Sequence, residues 1–133
     1  MWKAIVPALC LLLTSCRFGD RMNASEIAAA LEVRTINTAE TAFHEEHGRF
    51  GTLDELPTRH GSKYAGYRFT LQLRPNGYVI QAQPERYGAA GVRSYYSDES
   101  RIIRQALRNG PATASDSPID FLQTAPAAPS PLH

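Results

Sequence analysis

Between Ala24 and His47 the chain contains neither glycine nor proline, and this run constrains the fold more than any other part of the sequence. Ala29, Val33, Ile36, Ala39 and Phe43 recur at three- and four-residue steps, which places them on one helical face; Glu32, Arg34, Glu40 and Glu45 fall largely off that stripe. Asn23 stands where an N-cap belongs, and Glu26 follows at the spacing of a capping box. Gly48 suits the C′ position, where a left-handed backbone costs it nothing. The pattern predicts a helix of about six turns, with an apolar face that needs a second layer to cover it.

After Gly48 the composition shifts from Ala and Glu toward Tyr, Phe, Thr and Gly. Residues 49–62 read as a connection, with Thr52-Leu53-Asp54-Glu55-Leu56 as one helical turn stopped at Pro57. Tyr67, Phe69, Leu71 and Leu73 then alternate with Arg68, Thr70, Gln72 and Arg74, the two-residue period of a half-buried strand. Pro75-Asn76-Gly77 signals a tight turn, so residues 78–83 should return antiparallel. A loop containing Gly88 and Gly91 leads to a second hairpin, 92–97 and 102–105, across Asp98-Glu99-Ser100. The expected class is α+β: one long N-terminal helix packed on a four-stranded antiparallel sheet.

From Gly110 onward lie five of the nine prolines, among Ala, Ser and Thr, so this stretch has little apolar surface to offset the entropy of ordering it. Ile119, Phe121 and Leu122 are the exception and let residues 116–122 pack back. Residues 123–133 are expected to form a disordered Pro/Ala-rich tail.

The N-terminus carries a different message. Lys3 precedes the apolar stretch Ala4 to Leu13, and small residues follow, which describes a cleaved export signal. The apolar stretch is far short of the roughly 20 residues that a membrane-spanning helix needs. Leu13-Thr14-Ser15-Cys16 resembles the lipobox of bacterial lipoprotein signal peptides, which implies cleavage after Ser15 and acylation of Cys16. A cysteine suits this chemistry because its thiolate is a nucleophile. Several acyl chains, each methylene adding about 0.8 kcal/mol, would hold the protein firmly on a membrane. The chain then divides into a signal peptide (1–15), a lipidated tether (16–22), a folded domain (23–122) and the tail (123–133).

Removing the signal takes away Cys10, and Cys16 would be acylated, so no thiol remains for a disulfide or a metal site. The signal also removes Lys3 alone among the charges, leaving 13 basic residues against 13 acidic ones. That balance argues against a nucleic-acid partner and against a polybasic grip on anionic lipid. The membrane would be reached through Cys16.

Candidate chemistry is sparse. His44-Glu45-Glu46-His47 invites comparison with a zinc helix, and His60 is a conceivable third ligand. The metalloprotease motif, however, separates its histidines by four residues, and here they are three apart at a helix end, where positive charge suits the dipole. Asp98 and Glu99, with Ser97, Ser100 and backbone carbonyls, offer part of a calcium shell of six to eight oxygens. A polar hairpin turn explains the same residues. Ser94, Ser97 and Ser100 lack a nucleophile-elbow context, and Asn23-Ala24-Ser25 matches a glycosylation sequon that the helix cap already accounts for. Tyr64, Tyr87, Tyr95 and Tyr96 are candidates for a contact surface, against the alternative that each is half-buried in the sheet. No enzyme, cofactor or small-molecule substrate is indicated.

Leu31-Glu32-Val33-Arg34-Thr35-Ile36-Asn37-Thr38-Ala39-Glu40-Thr41-Ala42-Phe43, followed by Gly48-Arg49-Phe50 and Leu53-Asp54-Glu55-Leu56, resembles the globular part of bacterial type IV pilins and type II secretion pseudopilins. Further matches are Ala65-Gly66-Tyr67-Arg68-Phe69-Thr70, Gly91-Val92-Arg93-Ser94-Tyr95-Tyr96-Ser97-Asp98, Ile102-Ile103-Arg104 and Asp116-Ser117-Pro118-Ile119. The resemblance implies a pilin-like fold, pilus or secretion-system partners and, at Asp98-Glu99, the loop where major pseudopilins hold calcium. It lacks one part: the long apolar N-terminal helix that anchors such proteins and forms the filament core. The expectation is a lipid-anchored, pilin-like, non-enzymatic envelope protein that does not polymerise by the usual route, with a general envelope lipoprotein as the alternative. Arg17 in place of the aspartate linked to inner-membrane retention favours the outer membrane.

Overall fold

The computed structural model describes residues 22–120, so Cys16, the signal, Phe121 and Leu122 at the expected end of the domain, and the tail 123–133 lie outside the described residues. A single helix, α1 (Ala24–His47), is followed by six strands: β1 (Lys63–Tyr64), β2 (Tyr67–Arg74), β3 (Gly77–Pro84), β4 (Ser94–Asp98), β5 (Arg104–Ala106) and β6 (Ser117–Pro118). They form one antiparallel sheet in chain order, β1-β2-β3-β4-β5-β6.

Both ends of α1 are set by local chemistry. Asn23 Oδ1 accepts from Glu26 N at 2.8 Å while Asn23 N donates back to Glu26 Oε1 at 2.8 Å, a complete capping box. At the other end Gly48 adopts φ 74° and its N–H donates to His44 O at 2.8 Å. Ala29, Ala30, Val33 and Ile36 are fully buried on the sheet, facing Tyr67 and Phe69 of β2, Tyr78, Ile80 and Ala82 of β3, and Tyr95 of β4. Each large apolar side chain so buried contributes about 1.5–3 kcal/mol before entropy is counted. A buried polar chain also ties helix to sheet: Tyr78 Oη donates to Asn37 Oδ1 (2.8 Å), Asn37 Nδ2 to Ser97 Oγ (2.9 Å), and Ser97 Oγ to Ile102 O (2.9 Å).

The expected four-stranded sheet is corrected to six strands, and both additions are short edge strands. Strand β1 spans two residues, too few for alternation to show. It exists because Ala65 (φ 56°) and Gly66 (φ 79°) make a left-handed two-residue turn that pairs Tyr64 with Tyr67. Strand β6 contains Pro118, which cannot complete a ladder and so suits an edge. It pairs with β5 through Arg104↔Pro118 and Gln105↔Ser117. The inner hairpins are shifted by up to two residues from expectation: β4 begins at Ser94 rather than Val92, and β5 covers Arg104–Ala106 rather than 102–105.

The start of the Pro-rich region is ordered more fully than its composition implies. Arg108 grips Asp116 through two nitrogens (2.7 and 3.1 Å), and Asp116 Oδ2 accepts from Thr113 N at 2.7 Å. This clamp lays fully buried Ala112 over Val79, Tyr96 and Ala106, a small second cluster on the outer face of the sheet. Ile119 packs against the main core, its N–H donating to Ile103 O at 2.8 Å.

Candidate functional site

The residues that invited a metal reading are turned to other work. His44 lies on the Phe50 ring (centroids 4.5 Å apart) and His47 on the Phe43 ring (4.1 Å), so the two histidines at the end of α1 address different aromatics. His60 is elsewhere: its Nδ1 is 3.0 Å from Glu32 Oε2, and its ring stacks on Tyr64 at 3.6 Å with a 10° interplanar angle. Among the described residues no group of three or more His, Cys, Asp or Glu side chains is placed to hold a metal ion.

Asp98 and Glu99 address different neighbours. Asp98 Oδ1 accepts from Ser100 N (2.9 Å) and Ser100 Oγ (2.5 Å), and Oδ2 from Tyr96 Oη (3.1 Å). These donors hold the Asp98 carboxyl below its usual range against the desolvation that would raise it. Glu99 points to the opposite neighbour, where Oε2 accepts from Tyr78 N at 3.3 Å and its carboxylate crowds Gly77. With Asp98 held by three donors and Glu99 directed to Tyr78, the two carboxylates do not converge on one point.

Nor do the four tyrosines assemble. Tyr95 is fully buried on the inner face and Tyr96 sits under the outer cluster, whereas Tyr64 stacks on His60 and Tyr87 is exposed on its own loop. Burial pushes the Tyr67, Tyr78 and Tyr95 hydroxyls well above the usual range, because the phenolate has no water around it.

Three buried carboxylates on α1 were not recognised as such from the sequence. Glu26 is 2% exposed and accepts from Arg93 Nη1 (3.2 Å) and Val92 N (3.1 Å) besides its cap bond. Glu32 is 5% exposed and holds His60; its Oε1 has no hydrogen-bond partner among the described residues. Glu40 is fully buried and accepts from Gly51 N at 2.7 Å, while its Oε2 has no partner among the described residues. Desolvation raises the Glu40 carboxyl above its ordinary value in spite of that bond. Together Glu32 and Glu40 fasten the connection 49–62 along one flank of the helix. Glu32 and Glu40 are expected largely off the apolar stripe, yet Glu40 follows Val33 by seven residues and Ile36 by four, the spacing of the stripe itself, and that spacing is the available signal.

The face of α1 turned from the sheet carries Leu31, 44% exposed, with Arg34, Thr35, Thr38 and Ala42 around a shallow, largely apolar surface that Ala39, half-buried against the core, borders. No described helix is long and apolar enough to cross a membrane. In comparisons of the chain with known proteins, no family model, no curated protein and no solved structure matches it.

Proposed function

We propose that the protein is a non-enzymatic lipoprotein of the bacterial cell envelope, anchored through Cys16, whose domain docks with type IV pilus or type II secretion components. The observation that carries the reading is the pairing in one chain of Leu13-Thr14-Ser15-Cys16 with a helix-and-sheet segment that resembles pilins over roughly Ala24 to Ile119. The outward face of α1, with half-exposed Leu31 among small Ala and Thr side chains, adds support, since such a surface admits close approach by a partner.

The test is in-cell crosslinking followed by affinity recovery and mass spectrometry, comparing the wild type with Cys16→Ser. Pilin or secretion-system subunits recovered only from the anchored form are the expected result. If both forms return the same abundant envelope proteins, the docking role is wrong; if Cys16→Ser still fractionates with membranes, the anchor is wrong.

A further inference from the structure

The helix stops before the sheet does. Beyond Gly48 the β2–β3 hairpin continues, and Leu73, whose inward register matches that of Tyr67, Phe69 and Leu71, is left 40% exposed. Phe50 lies beside it, half-buried and edge-on to Tyr78 at 4.9 Å, so the main core opens to the surface here through an aliphatic and an aromatic side chain. The opening is a cleft of about 270 Å³ between the end of α1 and the hairpin tip. That is at the small end for ligand pockets, suited to one inserted side chain rather than a cofactor.

The rim carries two arginines. Arg49 and Arg74 line the cleft together with His44, and no acidic side chain does so among the described residues. Arg49 is already held by Glu55, its Nη2 at 2.7 Å from the carboxylate. Arg74 is exposed and enters no salt bridge among the described residues, so its guanidinium is available to an incoming anion. An apolar floor beside an exposed arginine that enters no salt bridge among the described residues fits a large apolar side chain next to a carboxylate, with the aliphatic or aromatic group completing the core and the acid meeting the planar donor fork.

We propose that the cleft between the end of α1 and the β2–β3 hairpin binds an acidic partner segment by an inserted apolar side chain. This goes beyond the anchoring and docking reading and does not depend on it. The test is an NMR titration of the ¹⁵N-labelled full chain with an acetylated peptide in which leucine and phenylalanine are flanked by aspartates. Two control peptides replace the aspartates with lysines or the two apolar residues with alanines. Binding of the first peptide alone, with shifts centred on Phe50, Leu73 and Arg74, is expected. Arg74→Glu and Leu73→Asp, both at exposed positions, should each weaken it about tenfold or more, the scale of a lost anchor or charge contact. The inference is overturned if the lysine peptide binds equally, if shifts map elsewhere, if Arg74→Glu binds like the wild type, or if no peptide shifts the cleft at millimolar concentration. It is also overturned if anionic phosphatidylglycerol vesicles shift these amides and the peptide does not.

Discussion

The first turn of α1 and its last two turns each bury a glutamate, and they solve the problem of a buried carboxylate differently. Glu26 is surrounded by donors: its own cap N–H, Val92 N and the Arg93 guanidinium, itself 4% exposed. Around it the packing is tight, since a Cβ on Gly91 would meet the Tyr67 hydroxyl and lie 2.6 Å from Glu26 Cγ. Glu40 has only Gly51 N, and its second oxygen is buried without a partner among the described residues. The same side chain on the same helix is thus part of a charge-paired cluster with three donors at one end and a desolvated acid with one donor at the other. A buried carboxylate is costly by default, and what surrounds each oxygen decides whether it stays a structural ion pair or favours its proton.

Removing the cation at the charge-paired end should cost most. Arg93→Ala leaves Glu26 buried without its counter-charge, and urea unfolding should show a loss of about 3–5 kcal/mol. A loss below about 1 kcal/mol would mean that water replaces the guanidinium and the two ends are alike. Gly91→Ala should come next, with about 1–3 kcal/mol from overpacking against Tyr67 and Glu26; a neutral result would show that the cluster has room to relax.

Glu40→Gln sharpens the contrast through pH. The folded-state pKa of Glu40 is raised, so its stabilising contribution is complete below the ordinary 4.5 and is lost as pH rises through the folded value. Glutamine keeps an acceptor for Gly51 N–H and does not titrate. Unfolding measured from pH 4 to pH 8 should show wild-type stability falling relative to the variant as pH rises; parallel profiles would remove the desolvated-acid account.

The smallest effects belong to exposed pairs. Arg49 lowers the Glu55 carboxyl to about 2, and Arg108 does the same to Asp116, also to about 2. Both depressions stabilise the fold above the ordinary values of 4.5 and 3.8 and fade as pH falls toward 2. Solvent screens both pairs. Glu55→Gln and Asp116→Asn should therefore lower Tm slightly near neutrality and converge with the wild type at strongly acid pH; each also loses a backbone bond, from Thr52 N or Thr113 N, and Asp116→Asn should be the larger because its clamp also holds the loop over Ala112.

Local signals made α1 and the two inner hairpins legible. Asn23 with Glu26, Gly48, and the alternation from Tyr67 to Arg74 each state their structure within a few residues. Strands β1 and β6 were not legible as strands, because two residues carry no period and their pairing partners supply the register. Tyr95-Tyr96 also breaks the alternation rule, since β4 is covered on one face by α1 and on the other by the loop bearing Ala112. Of the candidate sites, the Glu32–His60 contact joins residues 28 apart in sequence, and the open end at Leu73 exists because a helix and a hairpin end at different heights.

By itself the sequence determined where the helix begins and ends and where β2 alternates. Each of these depends on neighbours within about one helical turn or one strand pair. Only the tertiary structure decided the sixfold sheet, the burial of Glu26, Glu32 and Glu40, the scattering of the histidines and the cleft beside Arg74. Burial and charge pairing depend on which distant backbone N–H or guanidinium arrives beside a side chain, and that is a property of the packed chain rather than of any local stretch of it.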